Sequence, residues 1–167
     1  MKEQITFTEI EYRLRRVTTR REAFLKEMDR LVPWAACVSL IEPVYPAGGH
    51  GRKPIGIETM LRMLFLQKWF GLSAKGTEEA IYDSYAMKQF MAIRFDEEQV
   101  PDATTLCRFR KLLSDNGLNE PIRSLVKAAM AEARISVRCG SITDAVVVKA
   151  PTRKKESKNA KKREKST

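Results

Sequence analysis

The carboxylate of Asp144 is the most conspicuous reactive group in the sequence. It stands in Ile142-Thr-Asp144-Ala-Val-Val-Val148, a β-branched run that reads as a strand. Side chains alternate along a strand, so Asp144 shares a face with Ile142, Val146 and Val148. A carboxylate buried and unpaired among aliphatics costs several kcal/mol. The pattern therefore leaves two readings: an open sheet edge, or coordination of a cation. The second chemistry on offer is phosphate binding. Arg20 and Arg21, Arg52 and Lys53, and Arg108, Arg110 and Lys111 form three short basic clusters. Lysine and arginine hold phosphates, and a basic helix can enter the major groove. Other chemistries are poorly served. There is one histidine, His50, and the three cysteines, Cys37, Cys107 and Cys139, are widely spaced. That matches neither a zinc site nor a disulfide framework. The loop Pro46-Ala-Gly-Gly-His-Gly-Arg-Lys-Pro54 lacks the Gly-Lys-Ser/Thr of a phosphate-cradling P-loop.

The elements that position these groups are mostly helical. Thr19 and Glu22 have capping-box spacing and start a helix that carries Phe24, Met28 and Leu31 inward until Pro33. A short helix follows over 34–41 and ends at Pro43 and Pro46. Residues 57–70 are apolar around nearly the whole axis, the pattern of a central core helix. Gly71 stops it, and Ser73 can cap the next segment, 77–92, one or two short helices. Residues 103–133 read as a helical hairpin, with Asp102 and Asn119 as N-caps. Asn116-Gly117 is the left-handed stop between them. Leu106, Phe109, Leu112 and Leu113 face inward, leaving Arg108, Arg110 and Lys111 outside. The period then changes, and 135–138 and 141–148 read as two strands around Cys139-Gly140.

Composition limits what such a chain can be. Of 167 residues, 43% are hydrophobic, enough for a core. The 31 Lys+Arg against 21 Asp+Glu give a net charge of +10. The longest apolar run is the five residues Trp34 to Val38, far short of the ~18 a membrane span needs. With no apolar leader at the N-terminus, a soluble cytoplasmic protein is expected. Residues 151–167 hold eight Lys/Arg and two Glu, and nothing aliphatic larger than Ala160. Such a segment buries too little to offset its ordering entropy, so a disordered, polyanion-attracting tail is expected.

One resemblance unifies these parts. Along residues 1–150 the following pieces occur in order: Phe7-Thr-Glu-Ile-Glu-Tyr12, Thr18-Thr-Arg-Arg-Glu-Ala-Phe-Leu25, Met28-Asp29, Val32-Pro-Trp34, Ile41-Glu-Pro43, Tyr45-Pro46, Gly51-Arg-Lys-Pro54, Glu58-Thr-Met-Leu-Arg62, Gln67-Lys-Trp-Phe70, Pro101-Asp102, Thr104-Thr105, Phe109-Arg110, Gly117-Leu118 and Thr143-Asp-Ala145. In this the chain resembles the N-terminal part of a bacterial insertion-sequence transposase with a DDE triad, of the IS-five (InsH-like) group. The resemblance implies a mainly α protein in three parts. Residues 1–134 would be a multi-helix DNA-binding domain, 135–150 a β-hairpin opening an RNase H-like catalytic domain, and 151–167 a disordered basic tail. It implies contact with the element's terminal inverted repeats, with Asp144 as the first triad carboxylate and a ligand of Mg²⁺. Only Glu156 and Glu164 follow Asp144 among the carboxylates. The resemblance therefore implies a chain shortened before the second and third carboxylates and inactive in strand transfer alone. Partners implied are DNA, a second copy, or a longer transposase that this chain completes or inhibits.

Overall fold

The computed structural model describes residue 14, residues 17–46, 54–93 and 99–133, and the strand segments 135–138 and 146–149. The described chain is mainly helical. The helices are α1 (Arg20–Leu31), α2 (Trp34–Ile41), α3 (Ile57–Phe70), α4 (Ala74–Asp83), α5 (Tyr85–Met91), α6 (Ala103–Asp115) and α7 (Asn119–Glu132), with a 3-10 turn at Glu42–Val44. Their ends follow local chemistry. The Thr19 hydroxyl accepts the Glu22 amide at 3.2 Å and opens α1. Ser73 Oγ accepts the Gly76 amide at 2.9 Å and opens α4. Gly71 takes a left-handed φ of 63° and closes α3, a conformation glycine adopts without a Cβ clash. At the end of α5 the same role falls to Ala92, at φ 52°, the one non-glycine residue with positive φ among those described.

Helix α3 is the axle. Met60, Leu61, Met63, Leu64, Phe65, Leu66, Trp69 and Phe70 are all buried, as an all-round apolar sequence requires. Helices α2, α4, α5 and α6 pack around it. Aromatic rings join these layers, in the edge-on and stacked arrangements that ring quadrupoles favour. Phe24 of α1 meets Trp69 edge-on at 5.4 Å between centroids. It meets Phe70 in the same way at 5.7 Å. Phe65 stacks on Trp69 at 5.2 Å.

Two expectations need correction. Residues 103–133 are two helices joined by a tight turn, but not a hairpin. Gly117 takes a φ of 65°. The Leu118 amide then reaches the Leu113 carbonyl at 2.9 Å, and the Gly117 amide reaches that of Ser114 at 3.1 Å. This is a Schellman stop. Beyond it the helices lean on different partners: α6 on α3 and α4, α7 on α1 and α2. Asn119 does not cap α7 either; it lies within the helix, the cap position is Leu118, and no side chain bonds there. The strands Ile135–Arg138 and Val146–Lys149 pair antiparallel, with Ile135 opposite Lys149 and Arg138 opposite Val146. The link between them, 139–145 with Asp144, and the tail 151–167 lie outside the described residues, so the expected RNase H-like opening and disordered tail do too. Among the described residues, no helix is long and apolar enough to cross a membrane.

Candidate nucleic-acid interface

Of the three basic clusters, the one on α6 is built most firmly. Leu106, Phe109 and Leu113 fix one side of the helix in the core. At its start, Asp102 Oδ1 accepts the Thr105 amide at 2.6 Å, and Glu78 of α4 reaches across to accept the Ala103 amide at 3.1 Å. Two carboxylates thus occupy the positive end of the helix dipole. At its other end sits the Gly117 stop. With both ends tied, the outer face is preset. Arg108, Arg110 and Lys111 are exposed there with Thr104 and Cys107. None of the three cations has an ion-pair partner among the described residues.

The second cluster, Arg52 and Lys53, lies outside the described residues. Among the described residues that flank it, the Tyr45 hydroxyl donates to the Ile55 carbonyl at 2.7 Å. The Tyr45 ring packs edge-on against Phe109 of α6, 6.2 Å between centroids. Burial raises the Tyr45 phenol above its usual range, because the phenolate would lose water. The third cluster is at the start of α1. Arg20 is exposed at the start of α1, and Arg21 beside it is half-buried. The Arg21 guanidinium lies 5.6 Å from the Phe70 ring centroid, within cation–π range.

The structure adds a cation that the charge pattern did not single out. Arg62 lies in the apolar helix α3 with a side chain only 8% exposed. It donates to Asp29 Oδ1 of α1 at 2.7 Å, to the Phe90 carbonyl of α5 at 2.6 Å, and to Glu58 Oε1 of its own helix at 2.9 Å. Its guanidinium lies 4.2 Å from the Trp34 ring centroid and 5.2 Å from that of Phe90. Trp34 closes the ring by donating its indole N–H to the Asp29 carbonyl at 3.0 Å. Only guanidinium can fork to this many acceptors while stacking on aromatic faces. The signal in the sequence was the Glu58/Arg62 spacing of four, a charged pair inside the most apolar segment.

Asp144 lies outside the described residues. Among those described, no group of three or more His, Cys, Asp or Glu side chains is placed to hold a metal ion. Cys37 is fully buried, its thiol pushed up by desolvation, whereas Cys107 is exposed on α6. No solved structure matches the chain. A family model described as a transposase domain (DUF772) matches residues 11–112, from before α1 to within α6. That span covers more than half of the sequence, and the chain belongs to this transposase-domain family.

Proposed function

We propose that this chain holds DNA for transposition, as the N-terminal region of an insertion-sequence transposase of the DDE, IS-five kind. The observation that carries this reading is the match to a transposase domain that runs into α6, whose exposed cations have no ion-pair partner among the described residues. Arg108, Arg110 and Lys111 supply phosphate contacts, and Arg52 and Lys53, and Arg20 and Arg21, supply others. The cognate duplex is the element's terminal inverted repeat. In a DDE enzyme, Mg²⁺ supplies the Lewis acidity for attack on phosphorus. Here Asp144 would give it one carboxylate. Taken alone, these residues bind DNA without cutting it, and their setting is the cytoplasm.

A gel-shift titration tests the reading, with the terminal repeat and a scrambled duplex at about 50 and 200 mM salt. Retardation at the lower salt, tighter on the repeat, is the expected result. No retardation of either duplex removes DNA binding, and equal retardation of both reduces it to polycation attraction.

A further inference from the structure

The α6 face has a geometry more specific than positive charge. At about 3.6 residues per turn, Arg108 and Arg110 project about 160° apart across the exposed arc, with Lys111 and Cys107 between them. Cations spread so widely cannot converge on one phosphate or one base. They match two walls of a groove. A helix with its side chains is about 10–12 Å across, and the major groove of duplex DNA is about 12 Å wide. The N-terminal end of α6 is closed to phosphate, since the Asp102 and Glu78 carboxylates already take its first amides. The duplex must therefore meet the side of the helix rather than its tip.

We infer that α6 lies lengthwise in the major groove of duplex DNA, Arg108 on the phosphates of one strand and Arg110 on those of the other, with Lys111 and Cys107 toward the floor. This rests on the DNA-binding reading above and adds the helix, the groove and the division of labour. The two arginines clamp without reading sequence, because phosphates are the same at every base pair.

Cys107 reports on this directly. Cys139, outside the described residues, is replaced by serine, and Cys37 is fully buried, which leaves Cys107 as the accessible thiol. The full chain carrying Cys139→Ser is titrated with two short duplexes of unrelated sequence, binding being followed by anisotropy and Cys107 by maleimide labelling. Bound duplex should slow labelling at least tenfold, whichever sequence is used. Arg108→Gln and Arg110→Gln should each weaken both duplexes by a similar several-fold factor and reduce the slope of log K against log salt by about one. Labelling at an unchanged rate in a chain that has bound duplex would overturn the groove placement and leave DNA binding standing. Losses confined to one sequence would overturn the clamp. No binding by the unsubstituted arginines would remove both this inference and the reading beneath it.

Discussion

Arg62 and the cations of α6 put the same charge to opposite uses. Arg62 is enclosed by α1, α3 and α5, with two carboxylates, a carbonyl and two ring faces around it. Its charge serves geometry: it sets how α1 and α5 sit on α3. Arg108, Arg110 and Lys111 stand in water without acidic partners among the described residues, on a helix that other residues have already fixed. Their charge is available to a ligand. A buried cation with all its donors used gives little to a phosphate, and an exposed one gives little to stability. Charge count alone does not separate the two; burial and partners do.

This contrast breaks most readily at Arg62. Arg62→Ala removes the fork, strands the buried Phe90 carbonyl and opens space between Trp34 and Phe90. We expect a loss of about 3 kcal/mol in urea unfolding, near the lower bound for breaking a buried pair. The loss stays near that bound because Asp29 and Glu58 are each 48% exposed and can rehydrate. A loss below about 1 kcal/mol would mean that Arg62 is a passenger. Next in size is the cap of α6. Asp102→Ala should cost about 1 kcal/mol, whereas Asp102→Asn, which keeps the acceptor, should cost little. Such a result would sharpen the view of α6 as a preset platform. In the other direction, Ala92→Gly should stabilise the fold by about 0.5 kcal/mol. Glycine tolerates the left-handed backbone that ends α5, where Ala92 now stands.

The smallest effect is with alkali. Tyr45 and Cys37 both titrate above their ordinary values because burial disfavours their anions. For groups raised in this way, the stabilisation is complete below the unfolded pKa and is lost as pH rises through the folded one. Thermal midpoints should hold steady near neutrality and decline above pH 9, where the unfolded thiol ionises, and further above 10 for the phenol. Tyr45→Phe should flatten the second part of that decline.

How much of this was legible in the sequence depends on distance along the chain. Thr19, Ser73 and Asp102 bond amides three residues away, and Gly71 and Gly117 act on the turn that contains them. Those features read directly from local spacing, as did the core stripe of α6 and hence its outward cations. Arg62 to Asp29 spans 33 residues and Arg62 to the Phe90 carbonyl 28, and no local pattern encodes either. The same holds for Tyr45 with Phe109, and for the parting of α6 and α7, which depends on which core faces each finds. Several residues that carry the family resemblance, namely Asp29, Trp34, Tyr45, Glu58, Arg62, Asp102 and Gly117, turn out to fix the scaffold. The resemblance thus pointed to these positions before their physical role could be seen. Asp144 drew attention as a carboxylate among aliphatics, an argument from alternation alone, and it lies outside the described residues.

The claim that the outer charges serve DNA while the inner one serves the fold has one direct test. The full chain with Arg108, Arg110 and Lys111 all changed to Gln should unfold at the same urea concentration as the parent, within about 0.5 kcal/mol. In the same buffer, at about 100 mM salt, it should bind a terminal-repeat duplex on the order of a hundredfold more weakly, as expected for three lost phosphate contacts. An unchanged affinity, or a loss of affinity explained by a matching loss of stability, would contradict the account.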